Sequence, residues 1–470
     1  MLDSKSDKSD RGSDNENQES NEERIRRERE RRRLERITKK TESTKINKPE
    51  NKIQGMMSRN ELTALELHQM YKTDKKKWLD SYRGFPLSIS LQSIMASLIV
   101  FPFLLGFLIF PFKDIKLWKT IALCIVTSLI SYYYCIKLIK DLKGYMIDAK
   151  MTGKDLNKTG TIESKPANAE AMGIITCIIF LMNSIIMVSL LDFDKDKLLL
   201  FMTGLLCISL MVILGFIDDV VALKWKYKLI FPLIASFALI LVYDGKTSVI
   251  MPIPTRFIFG EVLELGIFYK IYFVMLTIFC TNSINIHAGV NGLESSQSIV
   301  ICVFTIVHNI IEISRKETQS IYENHIFSLI LMIPFLFTSL ALLKYNNFPS
   351  KIFVGDTYTS FAGIVFAVCG ILGHFSKTLL LFFIPQIINF LLSLPQLFKF
   401  IHCPRHRMPK FNKKTYKMEC VDNHFTLINA TLRVFGPMNE EQVNISQTLF
   451  QIACCLFAFF IRYGLAQFFF

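Results

Sequence analysis

Four polar stretches interrupt an otherwise oily chain, and their residue types suit the handling of phosphate. The first, at 214–228, reads Leu-Gly-Phe-Ile-Asp218-Asp219-Val-Val-Ala-Leu-Lys224-Trp225-Lys226-Tyr227-Lys228. Adjacent acids at the mouth of a membrane helix are costly to place and mark function by default. The second is Asn282-Ser-Ile-Asn285-Ile-His287-Ala-Gly289-Val-Asn291-Gly292-Leu-Glu294. Asn282 and Asn285 share a helix face, and Gly289 and Gly292 let the backbone approach a ligand closely or adopt unusual dihedrals. The third, Phe353-Val-Gly355-Asp356-Thr357, sets a lone carboxylate beside a flexible glycine, and the fourth is Cys403-Pro-Arg405-His406-Arg407-Met-Pro-Lys410.

Hard oxygens from Asp356 and Asn285, with Asp218 or Asp219 nearby, suit Mg²⁺, which keeps waters and bridges substrate phosphates. Lys228, Arg405 and Arg407 can neutralise phosphate charge, the arginines by bidentate contacts. Such a set fits phosphoryl transfer to a lipid acceptor, where a protein mainly positions groups and stabilises charge. Each cluster alone has a plainer reading. The Asp218-Asp219 pair would cap the next helix, the two asparagines would serve as interhelical glue, and Gly355-Asp356 as a tight turn. The arginines would serve as a topology signal, and Lys224 and Lys226 as interfacial anchors. His287 and His308 read as core residues. The conjunction of four clusters on one face is what points to a site.

The elements that must hold these residues are membrane helices. Of 470 residues 51% are hydrophobic, with 41 Phe, and the mean hydropathy is +0.34. The apolar residues come in long runs, which read as transmembrane helices. Runs near 87–111, 118–137, 172–191, 197–217, 229–243, 267–287, 297–313, 326–344, 358–373, 377–396 and 446–467 predict an all-α polytopic membrane protein of about 10–11 spans. The formal charge of +14 then reports cytosolic loops and not nucleic acid. Alternation puts the N-terminal tail, 137–170, 218–228, 285–296, 345–357 and 397–445 on the cytosolic side. The other side receives 244–266, whose prolines and alternating apolar residues suggest a small irregular or hairpin element. Most of the eleven Cys lie in apolar runs as small hydrophobes, with no disulfide or zinc spacing. Residues 1–84 form a charged tail that cannot bury enough surface to fold alone, 85–112 an extra hydrophobic segment, and 113–470 the membrane domain.

From about residue 118 onward the chain resembles the polyprenyl-phosphate sugar-1-phosphate transferase superfamily, of glycosyltransferase family 4 type. The strings that carry the resemblance are Gly153-Lys-Asp-Leu-Asn-Lys-Thr159, Gly215-Phe-Ile-Asp-Asp-Val220, the 281–294 segment, Phe353-Val-Gly-Asp-Thr357, Gly370-Ile-Leu-Gly-His-Phe-Ser-Lys377 and Cys403-Pro-Arg-His-Arg407. The Arg-His-Arg string resembles the eukaryotic, N-acetylglucosamine-using branch. The resemblance implies transfer of GlcNAc-1-phosphate from UDP-GlcNAc to dolichyl phosphate with Mg²⁺, at the cytosolic face of the endoplasmic reticulum membrane, and sensitivity to tunicamycin. It implies Asn285 and Asp356 as metal ligands and Lys228 and Arg405 as pyrophosphate contacts. Leu156, Gly289, Asn291 and Phe353 match the uridine site, Glu170 the ribose, and His406 and Arg407 the sugar pocket. Asn282 is grouped with these substrate-binding residues. Asp218 and Asp219 match an acidic pair that organises metal and phosphates or handles the acceptor proton. Expected partners are UDP-GlcNAc, dolichyl phosphate, membrane lipid and a second copy of the chain. A dolichyl phosphate oxygen is already a competent nucleophile, which favours direct attack over an aspartyl intermediate.

Three departures stand out. Ala222 replaces the family's usual Asn, the loop after Arg407 is shorter than in animal relatives, and the tail and first oily run lie outside the family core. The sequons at Asn157, Asn429 and Asn444 are expected to be unmodified, since they fall on the cytosolic side. The rival readings are a relative that transfers another sugar phosphate and a nucleotide-sugar or ion transporter. Acids gathered at one membrane face, instead of at mid-bilayer, argue against the transporter.

Overall fold

The computed structural model describes residues 90–110, 114–153, 168–221, 223–315, 317–402, 407–412, 415 and 417–469. The charged tail expected at 1–84 lies outside the described residues. Among the described residues, nine helices are long and apolar enough to cross a membrane. They are α1 (Leu91–Ile109), α2 (Ile115–Asp148), α3 (Gly173–Leu190), α4 (Lys195–Val221), α8 (Ile267–Ile286), α9 (Leu293–Arg315), α10 (Gln319–Asn346), α11 (Gly355–Leu372) and α15 (Glu440–Phe459), the last continuing to Phe469 through a π-helical turn.

Three runs behave otherwise than hydropathy suggests. The 229–243 run forms α6 (Ile230–Val242), preceded by the single turn α5 (Trp225–Lys228). At 13 residues α6 is about 20 Å long, short of a bilayer's roughly 30 Å core. The 377–396 run breaks into α12 (Ser376–Phe382) and α13 (Ile384–Leu397), bent by 68°. Pro385 sits in the first turn of α13, where a proline starts a helix but cannot continue one. In the opposite sense, α2 runs on well past 137 to Asp148, because its Lys-rich continuation is made of good helix formers.

Caps fix several starts. Asp114 accepts from Leu117 N at the head of α2, and Thr318 from Ile321 N at the head of α10. Asn439 and Gln442 form a reciprocal capping box at α15, which satisfies two otherwise orphaned donors. Residues 244–266 form the expected hairpin, β3 (Ser248–Ile250) with β4 (Val262–Glu264), joined through the one-turn helix α7 (Arg256–Phe259). A two-residue ladder pairs β1 (Thr152–Gly153) with β2 (Asn168–Ala169). The 397–445 segment holds the hairpin β5 (Lys410–Asn412) and β6 (Lys417–Glu419) and the helix α14 (Leu427–Phe435).

The interior is α9, α10 and α11. Their apolar windows are 94%, 83% and 83% buried, against 17% for α1 and 22% for α2. The outer helices keep one face for lipid, as at Leu104, Phe107, Leu206 and Leu241. In lipid there is no hydrophobic drive between helices, so small residues that let backbones touch set the packing. A Cβ on Gly215 of α4 would lie 2.6 Å from Thr357 Cα of α11. A Cβ on Gly363 of α11 would lie 2.5 Å from Thr281 Cα and overlap the Cys280 carbonyl, both on α8. Helix α11 is thus clamped between α4 and α8. The C-terminal ends of those two helices meet the N-terminal end of α11.

Candidate active site

The meeting of these three helix ends brings together residues from three of the four polar stretches. Lys228 Nζ, from the turn α5, is ion-paired to Asp218 Oδ2 and lies 3.0 Å from Asp356 Oδ2. The other oxygen of Asp356 accepts from Asn285 Nδ2 at 2.7 Å. The other oxygen of Asp218 accepts from Leu223 N at 2.9 Å, just past the end of α4. Two carboxylates therefore share one ammonium, leaving one negative charge in excess. The Asp218 side chain is 6% exposed, Lys228 23% and Asp356 29%. The cluster is sheltered yet open enough to meet a ligand.

Burial alone would lower the Lys228 pKa. The charge of Asp356 and the hydrogen bonds and charge of Asp218 outweigh it and hold the group above its ordinary value. It is a cation at neutral pH.

The adjacent acids do different things. Both oxygens of Asp219 are taken up by the start of α11. Oδ1 accepts from Asp356 N at 2.6 Å, and Oδ2 accepts from Thr357 N at 3.0 Å and Thr357 Oγ1 at 2.5 Å. A carboxylate on the orphan N–H groups of a helix start is a strong cap. Here it comes from another helix, and it fixes the turn that carries Asp356. Gly355 makes this possible with φ +75°, and a Cβ there would strike the Asp219 carboxylate and lie 2.8 Å from Ala171 Cα. The plain reading, in which the pair caps the next helix, does not describe Asp219, which caps α11 instead, and Asp218 faces the lysine.

A second group of residues borders the cluster. Phe353 N donates to Ala169 O at 2.8 Å, and Met172 N to Phe353 O at 3.1 Å, so Phe353 and Glu170 sit side by side. A Cβ on Gly153 would lie 2.9 Å from the Phe353 ring and 3.1 Å from Glu170 Oε2, which leaves a floor only glycine permits. Burial, and next the charge of Asp356, push the Glu170 carboxyl above its usual range. The glycine loop turns at Gly289 (φ +128°) and Gly292 (φ +82°). Asn291 N donates to Glu440 Oε1 at 2.7 Å and Asn291 O accepts from Asn444 Nδ2 at 2.9 Å, both on α15. Past Arg407, Met408 approaches Gly289, whose Cβ would lie 3.5 Å from Met408 Cγ.

Asn282 is placed differently. Its Nδ2 donates to Ile278 O at 2.8 Å and to Thr281 Oγ1 at 3.3 Å, along its own helix. Leu156, Ala222, Arg405 and His406 lie outside the described residues, as does the sequon at Asn157. The sequons at Asn429 and Asn444 are buried. Sequence reasoning passed over Thr357, Glu440 and Asn444. The Gly355-Asp356-Thr357 string held the signal for the first, and the capping box at Asn439 marked the start of the helix that carries the other two. Among the described residues no three His, Cys, Asp or Glu group as a metal site.

The fold is thus a helical membrane bundle whose converging helix ends hold a lysine between two carboxylates. The family model described as glycosyl transferase family 4 matches residues 201–374, which contain Asp218, Lys228, Asn285 and Asp356. The chain is 48% identical over 347 residues to the UDP-N-acetylglucosamine–dolichyl-phosphate N-acetylglucosaminephosphotransferase of Dictyostelium discoideum, covering 70% of this chain and 85% of the relative. The Saccharomyces cerevisiae enzyme of that name is 41% identical, over 56% of this chain and 68% of the relative. The Leishmania amazonensis one is 33% identical, over 74% and 94%. The chain belongs to glycosyl transferase family 4, in the branch of the UDP-N-acetylglucosamine–dolichyl-phosphate N-acetylglucosaminephosphotransferases.

Proposed function

We propose that the cluster at the joined ends of α4, α8 and α11 is where this chain transfers GlcNAc-1-phosphate from UDP-GlcNAc to dolichyl phosphate. The products are GlcNAc-diphosphodolichol and UMP, in the first step of N-glycan precursor synthesis. The observation that carries the reading is the Lys228 ammonium bridging Asp218 and Asp356, with Asn285 on the remaining Asp356 oxygen.

Asp356 and Asn285 hold Mg²⁺ in this reading, beside Asp218. The hard-oxygen donors and the excess negative charge of the cluster support that fit. Held there, Mg²⁺ would supply positive charge to offset that of the substrate diphosphate. Lys228, held by Asp218, meets the diphosphate, and Arg405 assists. Phe353, Gly289 and Asn291 line the uridine pocket, Glu170 reaches the ribose, and Arg407 receives the sugar. A dolichyl phosphate oxygen attacks the phosphorus that bears GlcNAc, the bond to the uridine-side phosphate breaks, and UMP leaves with that bond's electrons. Asp219, bonded on both oxygens to α11, holds Asp356 in place. Asp218 keeps Lys228 oriented. Neither acid has to become a nucleophile.

The basic residues around the site, Lys224, Lys226 and Lys228 among them, support a cytosolic orientation, and the substrates support the endoplasmic reticulum membrane. Tunicamycin sensitivity and a homodimeric assembly complete the proposal. The test is transfer of label from radiolabelled UDP-GlcNAc to dolichyl phosphate by purified protein, with and without Mg²⁺ and against other UDP-sugars. The reading expects Mg²⁺-dependent product and equimolar UMP. No turnover with UDP-GlcNAc would sink it.

A further inference from the structure

Helix α8 ends at Ile286, one residue past Asn285 and three before Gly289, so the placement of that end sets two parts of the donor pocket. The last carbonyls of any helix lack partners within it. Here side chains from other helices supply them. Gln297 Nε2, from α9, donates to His287 O at 2.8 Å and to Ile284 O at 3.2 Å. Asn389 Nδ2, from α13, donates to Ile286 O at 3.1 Å. Gln297 is held in turn. Its Oε1 accepts from Gln386 Nε2 of α13 at 2.7 Å, and Gln386 Nε2 also donates to Gln451 Oε1 of α15 at 2.7 Å. Gln451 Nε2 donates to Phe382 O at 2.7 Å, the carbonyl at the break between α12 and α13. All three glutamines are 1% exposed.

We propose that Gln297, Gln386 and Gln451 are positioning residues of the transferase. They form a buried amide chain that ties the end of α8 to the α12–α13 break and thereby fixes Asn285 and the glycine loop for the nucleotide-sugar donor. A long amide can both give and receive. Gln297 and Gln451 do both, while Gln386 Nε2 donates to each of them and its own buried Oε1 has no partner among the described residues, so the link is made through the nitrogen alone. The chain touches no substrate, so its effect falls on donor binding and not on the lipid acceptor. This rests on the donor-pocket reading above.

The test compares wild type with Gln297→Met, Gln451→Met and Asn285→Ala in detergent. It measures UMP-induced thermal shift, KM for UDP-GlcNAc, KM for dolichyl phosphate, and Tm. Gln297→Met fills the same space without a donor. It is expected to weaken UMP binding and raise the UDP-GlcNAc KM by about tenfold, the scale of a buried acceptor left unpaired. The dolichyl phosphate KM stays at the wild-type value. Gln451→Met, one link further out, shifts the same two quantities by less. A folded Gln297→Met that has a lower Tm but wild-type UMP binding and donor KM overturns the inference. If that variant does not fold, Gln451→Met decides by the same two readouts. Asn285→Ala separates the premises. If it leaves UMP binding intact, the donor-pocket reading fails. If it weakens binding while the glutamine variants do not, only the positioning inference fails.

Discussion

Two buried polar clusters lie near opposite ends of α9, and only one has the character of a site. At the end where α9 begins, Asp218, Asp356 and Lys228 come from three different helices, carry excess negative charge and remain partly open. About 28 Å along α9, Glu312 meets Arg462 at 3.5 Å, His308 Nδ1 meets Tyr463 Oη at 2.5 Å, and His325 Nδ1 meets Asn309 Oδ1 at 2.8 Å. Asn309 in turn donates to Ser328 at 2.8 Å, and Phe375 stacks on His325. That second cluster sets Glu312 against Arg462, with Arg315 over the Tyr463 ring, and packs its rings in aromatic contacts. It fastens the last helix to α9 and α10. Burying polar groups in a membrane bundle is therefore not enough to mark chemistry. What sets the first cluster apart is two carboxylates converging on one ammonium from separate helix ends, with an asparagine on one of them, where the second holds one acid, Glu312, against Arg462.

Variants at the two ends should separate these roles. The largest effect is expected from Asp356→Ala and from Lys228→Ala, each of which should cut transfer by about a hundredfold or more, the scale of removing one electrostatic group from a phosphoryl-transfer site. Expression and monodispersity should be preserved, and retained activity in either would mean the site is misplaced. Next comes Asp219→Ala, which leaves Asp356 N and Thr357 N without their acceptor. It should lower stability by about 1–3 kcal/mol and activity with it, seen as a joint fall in Tm and kcat. Glu312→Gln at the far cluster should lower stability by only about 1 kcal/mol, read as a small fall in Tm, since Arg462 is 44% exposed and solvent screens the pair. Its kcat and donor KM should equal wild type, and a change in donor KM would break the contrast drawn here.

The smallest effect concerns pH. Because the folded protein holds the Lys228 pKa above its unfolded value, the stability this gives is fully present below about pH 10.4. It is lost only as pH rises through the folded value. A rate profile from pH 7 to 9 should show no lysine titration. Asp218→Asn removes one anion that supports the ammonium and should bring the alkaline limb to lower pH.

Much of this was legible in the chain, for a physical reason. Asp218, Asn285 and Asp356 each interrupt or end an oily run, and a charge or amide in that place is too costly to be incidental. What adjacency hides is division of labour. Asp218 and Asp219 look equivalent on paper, yet Asp219 is taken up by Asp356 and Thr357, residues 137 and 138 positions away. Hydropathy counted the oily runs well but could not see that α6 stops short or that α12 and α13 bend by 68°. A window average carries no information about length in ångströms or direction. Gln297, Gln386 and Gln451 escaped notice because a single amide in an apolar run reads as interhelical glue, and only the fold shows that three of them form one chain.

The glycine clamp around α11 has a consequence for variation in this protein. Gly215 and Gly363 carry no charge, touch no ligand, and would rank low in any inventory of chemistry. Yet at both positions the smallest possible addition, one methyl group, meets a neighbouring backbone within 2.6 Å. The neighbours are backbone atoms of α8 and α11, which cannot swing aside as a side chain would. In a survey of every single substitution, these two positions should tolerate change as poorly as the acids they bring together, although Gly363 is two helical turns from the nearest of them.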